Sequence, residues 1–286
     1  PGDRILFKRG DMWRGSITVR NSGTQSNRIV FGSYGNGARP VIALFNKITE
    51  ASNPTNWILY SQNIWRCQVS GVDEETVRLF RDSNYVEFGA RATELSRLDN
   101  IDNWFYSSGY LYVYSEINPA GTYYTAWQIG TPYTVKLVSV NFITFQDLDI
   151  RGGYQCFYIR QSNNIYITDS KIGMGANGYG IIAHYSDYGI ISNSIIDSYW
   201  RVRQNHNEEP STSQSNGITL AGCNYWEIYN NQIIDWHHSG ISIQGYFRTE
   251  NPYASNYNKI FDNYFTARDI VYGRAFEVFA EGGQLG

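Results

Sequence analysis

The segments ITFQDLDI (143–150), IYITDSKI (165–172), IISNSIID (190–197), EIYNNQIID (227–235) and KIFDNYFT (259–266) carry one pattern, apolar-x-x-Asn/Ser-x-apolar, with Leu148 at the polar place in the first copy. Phe145, Ile167, Ile190, Ile228 and Ile260 begin successive copies, 22, 23, 38 and 32 residues apart. A second pattern, a small residue followed by apolar-x-apolar, falls between them at Cys156–Ile159, Gly180–Ala183, Gly217–Leu220, Gly240–Ile243 and Ala275–Val278. The base repeat is therefore 22 or 23 residues, and the longer spacings are insertions. Apolar residues alternate over only three or four positions before a turn residue, which marks short strands rather than helices.

The apolar pair of the first pattern is separated by an odd number of residues, so in one straight strand its members would face opposite sides. A bend between them returns both to the core. Ser170, Asn193, Asn231 and Asn263 occupy that bend, and Asn suits it through its tolerance of the left-handed region and its bonds to nearby backbone. Stacked bends make an internal polar ladder. The pattern predicts an all-β fold, a right-handed single-stranded parallel β-helix whose rungs lie ~4.8 Å apart. An antiparallel sandwich would not require matching columns at constant spacing.

Working outward, Ile5-Leu6-Phe7, Ser16–Val19, Ile29-Val30-Phe31 and Pro40-Val41-Ile42 read as the first rungs, over 1–43. Residues 44–134 break the period. Strand-like runs at 57–60, 77–80, 86–88 and 111–114 are joined by polar turns, and predict an inserted antiparallel β module. Rungs resume over 135–286, with loop insertions at 198–215 and 244–257.

Composition narrows the function. The 286 residues carry 23 Lys+Arg against 26 Asp+Glu, a formal net charge of −3, which gives no basic footprint for nucleic acid or an anionic surface. No apolar run reaches the roughly 20 residues of a membrane span. The N-terminus shows no signal-peptide pattern. Three scattered cysteines, Cys67, Cys156 and Cys223, make neither a zinc pair nor a redox pair and read as packed thiols. The last residues show no cap for the final rung, so further rungs or another domain are expected beyond Gly286.

The opening PGDRILFKRGDMWRGSITV (1–19) and SGTQSNRIVFGSYGNGARPVI (22–42) resemble the N-terminal entry of secreted right-handed β-helix proteins of the pectin-lyase-like superfamily. VRLFRDSNYVEFGARATELS (77–96) and WFYSSGYLYVYS (104–115) resemble the small β module inserted early in certain β-helix glycoside hydrolases. The resemblance implies an extracellular or cell-surface protein acting on polysaccharide. The superfamily holds lyases, glycoside hydrolases, esterases and non-catalytic adhesins. The polygalacturonase signatures are missing, and no motif carries a catalytic assignment across.

A site is expected where loops decorate the rigid rungs. Tyr158, Ile182, Thr219, Ser242 and Glu277 form a column facing away from the core, here read as the floor of a groove. Glu277 is its only carboxylate. Sugar cleavage calls for paired carboxylates roughly 5–9.5 Å apart. The candidate catalytic residues are Glu277, Asp235, His238 and Asp197. Asp197 and Asp235 fall at the same place in adjacent repeats, where strict alternation turns them inward and favours turn capping of backbone N–H groups over catalysis. The candidate substrate-binding residues are Arg274, Arg248, His237, Glu208 and Arg203, with Trp236 and Tyr246 for sugar stacking. No cofactor and no metal site is called for. A calcium ion beside His206, Glu208 and Glu209 is the one metal considered. The expected reaction is hydrolysis of glycosidic bonds, with β-elimination second and a non-catalytic glycan-binding solenoid third. The sequence leaves the oligomeric state open.

Overall fold

In a computed structural model of the chain, the described residues are all except 72–76, 81–91, 93, 101–102, 123–124, 130–132, 174–178, 198–215, 235, 237, 249–250, 267–273 and 283–286. The chain divides into two compact units, one of Pro1–Leu44, Thr131–Val202 and Thr212–Gly286, the other with its described residues within Phe45–Gly130.

The first unit is a solenoid of three parallel sheets. One sheet stacks Arg4–Lys8, Ile29–Tyr34, Ile143–Gln146, Ile165–Thr168, Ile190–Ser192, Glu227–Tyr229 and Lys259–Phe261 in that order. Each rung then adds a strand to the second sheet, such as Lys171–Gly173 or Gln232–Ile234, and one to the third, such as Asn216–Ala221 or Ser239–Arg248. Seven strands in the first sheet mean seven rungs among the described residues. Inward columns fill the interior. Phe31, Phe145, Ile167, Ile191, Ile228 and Ile260 lie in register, and the Phe31 and Phe145 rings stack 4.7 Å apart.

The bend is resolved into two positions. Asp147, Asp169, Asn193, Asn230 and Asp262 all have φ between 52° and 59°, the left-handed region that Asp and Asn tolerate. The next residue carries the ladder. Ser170 Oγ accepts from Leu148 N, Ser194 Oγ from Ser170 N, Asn231 Oδ1 from Ser194 N and Asn263 Oδ1 from Asn231 N, over separations of 22, 24, 37 and 32 residues. The expected place of Asn193 in this ladder belongs to Ser194. The doubled isoleucines, Ile190-Ile191 and Ile195-Ile196, fit both alignments, and burial selects Ile191 and Ile196 for the core. A second ladder, Ser22, Asn141, Asn163, Asp187, Asn224 and Asn256, runs up another corner, each side chain from Ser22 to Asn224 accepting from the backbone N–H of the next residue in the series.

In the second unit, Trp57–Ser61, Ile64–Gln68, Tyr110–Tyr114 and Trp104–Ser107 form a four-stranded antiparallel sheet. Its core is Trp57, Cys67, Trp104, Leu111 and Val113. Val77–Phe80 pairs antiparallel with Thr125–Ile129. The expected strand at 86–88 lies outside the described residues.

Candidate functional site

The third sheet of the solenoid aligns Tyr158, Ile182, Thr219, Ser242 and Glu277 in one column. They alternate with the core residues Ile218, Leu220, Ile241 and Ile243 and so face away from the core. The column is not a bare floor. Thr219 and Ser242 are fully buried, and the cluster opens to solvent at His238 and Arg274, whose side chains are 38% and 66% exposed.

A second column runs beside it, with Asn216, Ser239 and Arg274 in register. These residues precede Gly217, Gly240 and Ala275, and packing requires glycine at 217 and 240. A Cβ on Gly217 would stand 2.5 Å from the Gly240 carbonyl oxygen and 2.9 Å from the Trp236 indole nitrogen. Side-chain hydrogen bonds from Asn216 to Thr219 and from Ser239 to Glu277 put the two columns on one face.

Glu277 is where they meet. Its Oε2 accepts from Ser239 Oγ at 3.0 Å and from Ser242 Oγ at 3.3 Å, and its Oε1 pairs with the Arg274 guanidinium. His238 Nδ1 lies 3.5 Å from Glu277 Oε2, 3.0 Å from Asn216 Oδ1 and 3.2 Å from Ser239 Oγ. The Asn216 amide nitrogen donates to Thr219 Oγ1 at 3.0 Å, which turns its oxygen toward the imidazole. Ser239 spends its own proton on Glu277. Nδ1 thus faces three acceptors and carries the ring proton, and Nε2 is left as the proton-accepting nitrogen. Chemically, the cluster is a histidine base held in one tautomer by a carboxylate and an amide, beside an arginine.

Among the sequence candidates, Glu277, His238 and Arg274 are brought together. Asp197 is elsewhere: it lies in the second sheet, 8% exposed, opposite Gly173 and Ile234. Its neighbour in the next rung is Ile234, which reflects the one-residue shift that also displaces Asn193. Trp236 is core, 5% exposed, its indole donating to the Ile196 carbonyl, so its ring is not offered for stacking. Tyr246 and Arg248 lie in an extension of the strand Ser239–Arg248 that pairs antiparallel with Asn251–Tyr253, where a loop was expected. The strand Arg274–Gly282 runs along its other side, so the extension has backbone partners on both edges. Asp235, His237, Arg203 and Glu208 lie outside the described residues, as do His206 and Glu209. Among the described residues no group of three or more His, Cys, Asp or Glu could hold a metal ion. Asn216 and Ser239 were missed. Their signal is positional, since each directly precedes a glycine of the second repeat pattern.

The family profile described as a right-handed beta helix region matches residues 135–284, more than half of the chain. No curated protein matches the sequence. Among solved structures, the complex of XylC with xylose aligns with 99% of this chain and 62% of that one, at 12% identity and a TM-score of 0.50. A glycoside hydrolase aligns with 97% of this chain and 89% of its own, at 9% identity and a TM-score of 0.48. An alginate lyase from Paenibacillus sp. str. FPU-7 aligns over 97% and 92%, at 12% identity and a TM-score of 0.37. The chain spans less than two thirds of the XylC chain, and likeness at such identity shows the fold.

Proposed function

The chain belongs to the right-handed β-helix family, and on that premise we propose that it is an extracellular or cell-surface enzyme cleaving glycosidic bonds in a polysaccharide. The observation that carries the reading is the convergence of His238, Glu277 and Arg274 on the outer face of one sheet. A sugar-cleaving centre needs a group that moves a proton and a group that steadies the charge left behind. His238 Nε2 is the proton acceptor. Glu277, at 3.5 Å from Nδ1, stabilises the imidazolium that forms and keeps the ring oriented. In hydrolysis His238 takes the proton of the attacking water, and a second acid protonates the leaving oxygen. Asp235 is the sequence candidate for that acid. The XylC–xylose complex, which shares this fold, gives the reading a sugar-bound counterpart.

Arg274 favours a second reading, β-elimination. Its exposed guanidinium, paired with the same Glu277 carboxylate that the imidazole faces, suits a uronate, with the arginine on the carboxylate and His238 removing the proton from the adjoining carbon.

Incubation with a panel of neutral and uronate polysaccharides tests both. New reducing ends without ultraviolet absorbance identify hydrolysis, and unsaturated-uronate absorbance identifies elimination. No product from any glycan overturns the reading in favour of a non-catalytic solenoid.

A further inference from the structure

The antiparallel sheet of the second unit has two unlike faces. Trp57, Cys67, Trp104, Leu111 and Val113 are buried on one. The residues between them in sequence stand on the other, where Arg66 is flanked by Ile58 on one neighbouring strand and by Tyr112 on the next, with Phe105 beyond. The rings on this face touch. Tyr60 packs edge-on against Tyr112 at 5.4 Å, and Phe105 and Tyr110 lie 6.1 and 6.3 Å from Tyr112. The Arg66 guanidinium sits 5.2 Å from the ring centres of both Tyr60 and Tyr110. Its Nε is buried with no hydrogen-bond partner among the described residues.

Arg66 and Tyr110 also line a cavity of about 580 Å³, together with Glu50, Asn56, Ile58 and Gln68. That volume suits a small ligand. Glu50 is fixed at the wall, accepting from Ser70 Oγ at 3.0 Å and Thr49 Oγ1 at 3.2 Å. One anion and one cation give the cavity a balanced charge. Its amides add donors and acceptors, and Tyr110 and Ile58 add apolar surface.

We infer that this cavity is a second glycan-binding site, on the antiparallel unit, taking a pyranose residue of a neutral polysaccharide. A sugar ring offers neighbouring hydroxyls that both donate and accept, with an apolar C–H face between them. Glu50 accepts a hydrogen bond from a hydroxyl, Arg66 and Gln68 donate to hydroxyl oxygens, and Tyr110 meets the C–H face. An apolar peptide would leave Glu50 and Arg66 unpaired. A nucleic acid would require an excess of positive charge.

The test is affinity electrophoresis of the full chain carrying Glu277→Gln, in gels cast with xylan, mannan or glucan, and with a uronate polymer as the charged control. At least one neutral glycan retards this protein, and adding Tyr110→Ala or Gln68→Ala weakens the binding about tenfold. Gln68 is exposed, so its truncation reports binding without disturbing the core. Absence of retardation by every neutral glycan, retardation by the uronate polymer alone, or retardation unchanged by both substitutions overturns the inference. The site stands apart from the proposed reaction. Cleavage by the unsubstituted protein without retardation sinks only this site, whereas retardation lost with Tyr110→Ala and no cleavage sinks only the reaction.

Discussion

Single residues at the corners carry much of the specificity of this fold. Ser194 Oγ is the acceptor for a buried backbone N–H one rung below, whereas Asn193 contributes left-handed backbone and an exposed contact to Asn230. Ser194→Ala is therefore expected to cost about 1–3 kcal/mol, the penalty of an unmatched buried donor. Asn193→Gly keeps the conformation and is expected to cost only about a few tenths. Urea unfolding of the two variants decides the register, and equal losses would contradict it. His184 offers a pH test. Burial first, and the nearby Arg160 second, hold its imidazole below the ordinary range. Above about pH 6.5 both folded and unfolded chains carry it neutral. As pH falls below that, the unfolded chain binds the proton first, so stability declines until the folded imidazole also titrates. The melting temperature of the unsubstituted protein should fall more between pH 7 and 5.5 than that of His184→Gln, and parallel curves would refute the linkage. Burial pushes the Cys67 thiol up to about 11 and the Cys223 thiol up to about 12. Both are expected to resist an aromatic disulfide reagent until the protein unfolds, as a thiolate is the reactive form.

At the scale of elements, the third sheet shows why small residues recur. Gly217 has the Gly240 carbonyl and the Trp236 ring where a methyl would sit, so neither neighbour can yield cheaply. Gly217→Ala is expected to destabilise by about 1–3 kcal/mol through overpacking, with the lower melting temperature accompanied by weaker activity as Asn216 shifts. An unchanged melting temperature would contradict the packing. Much of this was legible in the sequence, because glycine at 180, 217 and 240 recurs with the repeat. The register was legible only to one residue. Paired isoleucines at 190–191 and 195–196 satisfy the apolar pattern in both frames, and hydrogen bonding along the ladder, which single-chain periodicity does not contain, selects one. The extension of Ser239–Arg248 beyond its rung was hidden for a similar reason. Its stability comes from strands on both sides that are distant in sequence, not from its own composition.

At the scale of the molecule, the solenoid follows from the repeat of 22 or 23 residues in the sequence, and the antiparallel unit follows from the break in that repeat. The candidate site was half legible. Glu277, His238 and Arg274 could be selected as polar residues near one sheet, while Asn216 and Ser239, which fix the histidine tautomer, became visible only when the rungs were stacked. Trp236 misled because an aromatic residue beside charged neighbours reads the same whether it points out or in. In the proposed reaction Glu277 and His238 form one proton-transfer unit. Its most direct test is kcat/KM for Glu277→Gln and His238→Gln on a glycan that the unsubstituted protein cleaves. Each variant is expected to lose about 10²-fold or more, and the double variant to lose little beyond the worse single one, as residues acting together do. Full activity in either single variant would contradict it.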